Sequence, residues 1–366
     1  MTTQPTLRDK FFGCIAGVHI GSAMAAPVEG WPWQRIEAEH GTLDRFLPYH
    51  HYRSTTDWVR EPGTTEDGVE RQKLIITAIM RKQDRITAED LRAVWVTDMN
   101  PNAAGVVSEP FEGPLLAMAR TPIPARDLGR YCDYAGLVSF ARSCHPIGLI
   151  NAGDVERALE DILEVGQVYQ TSNSRGLQWA AVTGVAIAAA TRPGATVEGV
   201  MDAVFDVCGT FRERFVQDAG VVRELERGLE ATQRCQDFRE LRAAFDDIYQ
   251  GKGLPYAHSF ANEVVTKGIC IFRMVQGDLR RAIVAGVNMG RDTDCMTAVA
   301  AGISGALSGS AGLPDEWIQQ SDHATRVNPH TNSQRTLREH ADGLYEAFQA
   351  RLIKMGQYVE TMREAE

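Results

Sequence analysis

Asp292-Thr293-Asp294 sets two carboxylates two residues apart, after an apolar stretch ending at Met289 and before an Ala/Gly-rich run from Met296 to Gly309. Carboxylates at a point where the chain turns into a helix can both face one spot. That is the oxygen-rich setting taken by hard divalent cations such as Mg²⁺ or Mn²⁺. The same residues also suit a helix cap, because Asp side chains accept the unpaired N–H groups of a first turn. Two more acidic segments lie far away in sequence, Ala26-Pro27-Val28-Glu29-Gly30 and Gly63-Thr64-Thr65-Glu66-Asp67. Each has glycine near its carboxylates, where backbone can approach closely. Taken singly, Glu29 reads as a solvated loop acid and Thr65 with Asp67 as a capping device. Taken together, five carboxylates and a Thr hydroxyl would ligate one or two hard cations.

The elements that must carry these residues are helices. Apolar spacing predicts helices over Arg8–Ala25, Glu70–Arg81, Asp154–Tyr169, Gly176–Thr191, Val197–Cys208, Asp218–Gln233, Phe238–Ile248, Phe260–Gln276, Leu279–Met289 and His340–Met362. Gly176–Thr191 is apolar on nearly every face, the mark of a central buried helix. No period-2 run bounded by turns and no fixed-period repeat appears. Trp31–Pro62, Asp98–Pro114, Arg120–His145 and Leu313–Ser333 read as long loops, which in a compact domain tend to be functional. The expected fold is a single all-α domain.

Bulk composition narrows the function classes. The 366 residues carry a net charge of −10, which lacks the basic footprint that nucleic-acid binding needs. Seven scattered cysteines form no CxxC pair, so neither a zinc knuckle nor a disulfide framework is expected, and a reducing cytoplasm fits them. Arg8 and Lys10 before the apolar Phe11–Ile20 run, with Ala23-Met24-Ala25-Ala26 after it, resemble a signal peptide. Asp9 and the interruptions at Gly13, Gly17 and His19 favour a buried first helix instead. The apolar stretch Trp179–Ala190 is too short to span a bilayer, so no membrane partner is expected. Neither a GxSxG elbow nor a Gly-rich phosphate loop is present. Nothing in the sequence fixes an oligomeric state.

Four segments together carry a resemblance. GCIAGVHIGSAMAAPVEG is similar to the GxxxGxxxGDxxGxxxE opening of the ADP-ribosylglycohydrolase family. GTTED resembles that family's Thr-Asp-Asp turn, and HPIGLINAGD its APxGxxxxxD middle segment. GVNMGRDTDCMTAVAAGISGALSG resembles the long closing signature AVNxGGDTDTxAAxxGxxxGAxxG. The resemblance implies one all-α domain over residues 1–366, with motifs in a core of about residues 8–312 and a closing helix at about 335–362. It further implies a cleft with a dinuclear Mg²⁺ or Mn²⁺ centre held by Glu29, Thr65, Glu66, Asp67, Asp292 and Asp294. The implied chemistry is hydrolysis of an N- or O-linked ribosyl bond, ADP-ribosyl or related, with the acid or base among Glu29, Glu66 and Asp67.

The chain departs from the family pattern at four positions. Ser22 stands where Asp is usual, Glu66 replaces the first Asp of the turn, Arg291 replaces a Gly, and Cys295 replaces a metal-ligating Thr. A thiol suits Mg²⁺ poorly, so at Cys295 either water fills the vacancy, or a second metal site is weakened, or the site prefers a softer ion; the first two together are the expectation. Arg291 reads either as a contact for a substrate carboxylate or phosphate, or as an ion pair with Glu29 or Glu66. Ser22, Asn173 and His145 are further candidates for substrate contact, with Asn173 also suited to a cap. His19 reads as a core histidine. Trp31, Trp33, Trp58, Phe111 and Tyr134 would stack a flat group or simply lid the core. These departures open two rival readings, a hydrolase of small nucleosides or other N-glycosides and a catalytically silent ligand-binding protein. The expected ligand in each reading is a small molecule or an ADP-ribosylated substrate.

Overall fold

A computed structural model describes residues 4–48, 58–100, 112–132, 136–249 and 259–364. Among these residues the chain is all-α, and the only extended pairing is an isolated antiparallel bridge between Leu137 and Phe260. Helices form where periodicity predicts them, with ends shifted by a few residues. They are Leu7–Ala25, Asp67–Lys82, Val155–Val165, Arg175–Ala190, Val197–Gly209, Val221–Gln233, Phe238–Ile248, Ala261–Met274, Leu279–Val287, Thr293–Ser308 and Leu337–Glu364. Arg175–Ala190 lies at the centre, buried from Gly176 to Ala190 and packed on five other helices.

Further helices appear in stretches expected as loops or without an expected element, Trp33–His40, Ala88–Asp98 and Asp315–Val327 among them. Trp33–His40 lies inside the expected Trp31–Pro62 loop, and Asp315–Val327 inside Leu313–Ser333. Ala88–Asp98 starts on a capping box in which Thr87 and Asp90 bond each other's backbone N–H. Each buries few residues, so its apolar stripe is too narrow to stand out by period.

The opening helix and Thr293–Ser308 form the closest packed pair and run antiparallel. Gly13 faces Gly305 and Gly309, Gly17 faces Ala301, and Gly21 faces Thr297. A Cβ on Gly305 would lie 2.1 Å from the Gly13 carbonyl oxygen, so only glycine permits this approach. The glycine spacing that interrupts Phe11–Ile20 is therefore a helix-packing seam. The helix is long and apolar enough to cross a bilayer, but 94% of that window is buried in the protein. The antiparallel pairing has one consequence for chemistry: the end of the first helix, with Ser22 and Glu29 beyond it, meets the start of the helix that carries Asp292 and Asp294.

Candidate metal centre

Backbone contacts fix the meeting point. Gly30 N donates to Arg291 O at 2.7 Å, and Arg291 N donates to Trp31 O at 2.8 Å. Thr293 Oγ1 donates to Ala25 O at 3.0 Å and ends the first helix against the second. Gly290 cannot carry a side chain, since a Cβ there would sit 2.6 Å from Trp33 N. This clamp sets Glu29 among Asp292, Asp294 and Asp67, each of which pushes on its charge.

Asp292 occupies the N-cap position of Thr293–Ser308 but makes no cap hydrogen bond. Both its carboxylate oxygens are buried without a hydrogen-bond partner, as is Asp294 Oδ1. Cys295 and Ser259 lie near enough to influence the Asp292 carboxylate without completing a well-aligned bond. Capping therefore does not account for this pair. Unpaired buried carboxylate oxygens cost several kcal/mol unless a cation or proton meets them (roughly 1–3 kcal/mol each even for neutral groups).

The Glu66–Asp67 turn is built differently. Glu66, and not Thr65 or Asp67, caps the Asp67–Lys82 helix, accepting from Gly68 N at 2.7 Å and Val69 N at 3.1 Å. Ser22 Oγ donates to Glu66 Oε1 at 2.6 Å. Asp67 accepts from Gly68 N at 2.9 Å and from Arg71 Nη2 at 3.0 Å. Thr65 is drawn the other way. Its hydroxyl donates to Glu70 at 2.9 Å and accepts from Lys73 Nζ at 3.0 Å. The Lys73 side chain is 0% exposed and needs every acceptor within reach, so it recruits Thr65, Glu70 and Thr331 together.

Two acidic triads result, each with ligand atoms within 4.8 Å of one another: Glu66, Asp67 and Asp294, and Asp292, Asp294 and Cys295. Asp294 belongs to both. Burial raises the pKa of Glu29, Glu66, Asp292 and Asp294, and like charge raises it further at Glu29, Glu66 and Asp294. Oxygen donors that are buried, clustered and in part unbonded fit a hard divalent cation.

The sequence reading overlooked one residue at the heart of this cluster. Arg142 Nη2 donates to Asp67 Oδ2, Nη1 donates to Glu66 Oε2 at 3.2 Å, and Nη1 lies 3.5 Å from Asp294 Oδ2. Nη1 also lies 3.1 Å from Cys295 Sγ. Burial opposes the charge on Arg142, but Asp67, Cys295, Glu66 and Asp294 outweigh it and hold the guanidinium ionised. The residue sits in the turn before His145–Ile150, which Val138 N→Ser259 O (3.0 Å) and Ala261 N→Gly136 O (2.9 Å) fasten to the next layer. A single Arg in the otherwise uncharged run from Gly136 to Cys144 was the available signal.

Several candidates belong elsewhere. Arg291 forms a bidentate pair with Glu263, at 2.5 and 2.9 Å, and not with Glu29 or Glu66. Glu263 also takes Lys267 Nζ at 2.7 Å, so Arg291 is committed to a buried network. His145 is buried in the core instead of facing a cleft. It is 0% exposed, with Nδ1 bonded to Gln72 Nε2 at 3.2 Å and Nε2 to Ala298 O at 3.1 Å. His19 joins the same chain through Gln72 Oε1 at 3.0 Å and is a core histidine, as its sequence context suggests. Asn173 is exposed, one residue before Ser174, which is the cap that accepts from Leu177 N. Trp31 stacks under Arg35 at 3.4 Å, Trp33 packs under Arg242 at 4.1 Å, and Trp58 meets His330 edge-on. Phe111 and Tyr134 lie outside the described residues.

The ADP-ribosylglycohydrolase family model matches residues 3–352. The chain belongs to the ADP-ribosylglycohydrolase family. It is 24% identical over 310 residues, 82% of this chain and 88% of the relative, to a protein of Escherichia coli (strain K12) described as uncharacterized protein YegU. A solved structure described as an ADP-ribosylglycohydrolase-related protein complex has the same fold, with a TM-score of 0.57 at 17% identity over 93% of this chain and 97% of that one. Family membership supports a glycohydrolase of this superfamily, and the acidic triads are groups that could bind metal.

Proposed function

We propose that the protein is a metal-dependent glycohydrolase that cleaves an N- or O-linked ribosyl bond in a small-molecule or ADP-ribosylated substrate. The observation that carries this reading is the set of unbonded, buried oxygens on Asp292 and Asp294 beside Glu29. Asp292, Asp294 and Glu29 would hold the cation, with Glu66 and Asp67 lining the adjoining wall. When bound, a divalent ion there would orient sugar hydroxyls and offset the carboxylate charge.

The remaining chemistry falls to the chain's own groups. Glu66 and Asp67 are tied by backbone N–H groups, Ser22, Arg71 and Arg142, which keeps them from moving a proton freely. The Glu29 carboxylate makes no hydrogen bond among the described residues, and the residue is half-buried. Without a cation, burial and the neighbouring Asp294 and Asp292 push its pKa up, and a bound cation would oppose that shift. Of the three candidates, Glu29 is the one whose carboxylate the chain leaves least tied, so it is the preferred general acid or base wherever it is not taken up by the cation. The surrounding negative charge favours a sugar that becomes cationic as its glycosidic bond breaks.

Because Arg291 is occupied by Glu263, it lends no support to a carboxylate-bearing substrate, and the rival reading as a small-nucleoside hydrolase rests on Ser22 and Cys295 alone. The seven cysteines, scattered and without a CxxC pair, support a reducing cytoplasm as the place of action. The test is release of ribose or ADP-ribose from ADP-ribosylated peptides, ADP-ribose conjugates and nucleosides with Mg²⁺ or Mn²⁺. Turnover that disappears with EDTA and with Asp292→Asn is expected. Turnover of a substrate that survives both changes would sink the metal-centre assignment.

A further inference from the structure

We propose that Arg142 is a built-in cation that takes the place of one metal ion, so that the centre binds a single divalent cation. The inference rests on the metal-centre reading above and deepens it. The two acidic triads are treated differently by the fold. The Glu66, Asp67 and Asp294 triad already holds the Arg142 guanidinium, which reaches all three carboxylates. The Asp292 and Asp294 side carries the three buried oxygens without partners, on residues that are 0% and 1% exposed.

The seat for Arg142 is made by neighbouring residues. Gly68 leaves the space through which the Arg142 stem passes, since a Cβ there would lie 2.8 Å from Arg142 Cδ. Glu66 Oε1 is held by Ser22, which leaves Oε2 to face the guanidinium. Cys295 completes the seat, its sulfur 3.1 Å from Nη1. A thiol is a weak acceptor that tolerates a guanidinium and suits a hard ion poorly. Moving a second divalent ion into this triad would set it against a fixed positive charge within about 4 Å, an unfavourable contact at any dielectric found in proteins. The same guanidinium contacts three carboxylates and supplies a positive charge on that side of the cluster, which leaves the Asp292 and Asp294 side as the one open to a divalent ion.

Mn²⁺ binding to the purified full chain, measured by calorimetry and by metal analysis after gel filtration, reads the stoichiometry directly. One Mn²⁺ per chain is expected. Arg142→Met keeps much of the side-chain volume without its charge and is expected to bind two. Anomalous scattering from Mn²⁺-soaked wild-type crystals is expected to give one peak against Asp292 and Asp294, with the guanidinium still on Glu66 and Asp67. This arm holds even if the variant does not fold. Two peaks in the wild type, or two ions per wild-type chain, would overturn the proposal while leaving the metal centre intact. A folded Arg142→Met variant that still binds one ion would also overturn it. No bound Mn²⁺ in the wild type would overturn the metal-centre reading, and this proposal with it.

Discussion

The Ser22 hydroxyl donates to Glu66 Oε1 at 2.6 Å. The two positions that depart from the family pattern at the start of the chain and at the Thr-Glu-Asp turn are thus in contact. The longer Glu66 reaches Ser22 while also capping its own helix. An Asp at position 22 would set a second buried carboxylate against Glu66, adding like charge to a site that already resists ionisation. Ser22→Ala should lose a buried hydrogen bond to a charged group, destabilising the fold by about 2 kcal/mol. Ser22→Asp should cost more in metal-free protein than Ser22→Ala. Urea unfolding of both variants after EDTA treatment checks the order, and equal costs would refute the contact's importance.

Without metal, the carboxylate cluster should make a contribution to stability that falls as pH rises, opposite in sign to the contribution of the buried His19, His145 and His340. Glu29, Glu66, Asp292 and Asp294 all have folded-state pKa values raised above the usual carboxylate range, by burial first. At these groups the folded state then binds more protons than the unfolded one above about pH 4, and their contribution declines with pH over that window. Saturating Mn²⁺ binds the ionised carboxylates and should flatten or reverse the slope. Chemical denaturation at several pH values, with EDTA and with Mn²⁺, reads this difference. Parallel slopes under the two conditions would argue against these groups as ligands.

Arg291 couples backbone strain to an ion pair. Its φ is +67°, in the left-handed region that non-glycine residues occupy at a cost of about 1 kcal/mol. Arg291→Ala should lose the Glu263 pair and keep the strain, whereas Arg291→Gly loses the pair and relieves the strain. The Gly variant is therefore expected to be the more stable by about 1 kcal/mol. Thermal melting of the two proteins compares them directly, and an Ala variant at least as stable as Gly would count against strain at this position.

The glycine seam should be sensitive to a single methyl group. Gly305→Ala would set a Cβ 2.1 Å from Gly13 O, forcing the first helix away from Thr293–Ser308. A loss of roughly 3 kcal/mol is expected, the upper end for overpacking. Because these helices carry the site between them, Mn²⁺ affinity should fall together with stability. Gly209, with open space around it, serves as a control expected to tolerate Ala.

The sequence by itself determined the helical class, the helices with wide apolar stripes, and the acidic segments that meet. Glu29, Glu66, Asp67, Asp292 and Asp294 were legible because carboxylates beside glycine at helix ends are unusual together and because they lie in long motifs. Local pattern could not say which carboxylates would be satisfied from within the chain. That depends on partners far away in sequence, Ser22 on Glu66 and Arg142 on Glu66 and Asp67, while the nearer Lys73 and Glu70 draw Thr65 off. His145 looked available because it precedes Pro146 in an expected loop, and tertiary packing spent both its ring nitrogens on Gln72 and Ala298. Arg142 was hidden most completely. A lone Arg in a turn carries no periodic signal, and only the closing of Gly136–Arg142 against Ser259–Ala261 brings its guanidinium to the carboxylates. Charge type and spacing are properties of the chain, whereas charge balance at a buried point is a sum over segments that only folding brings together.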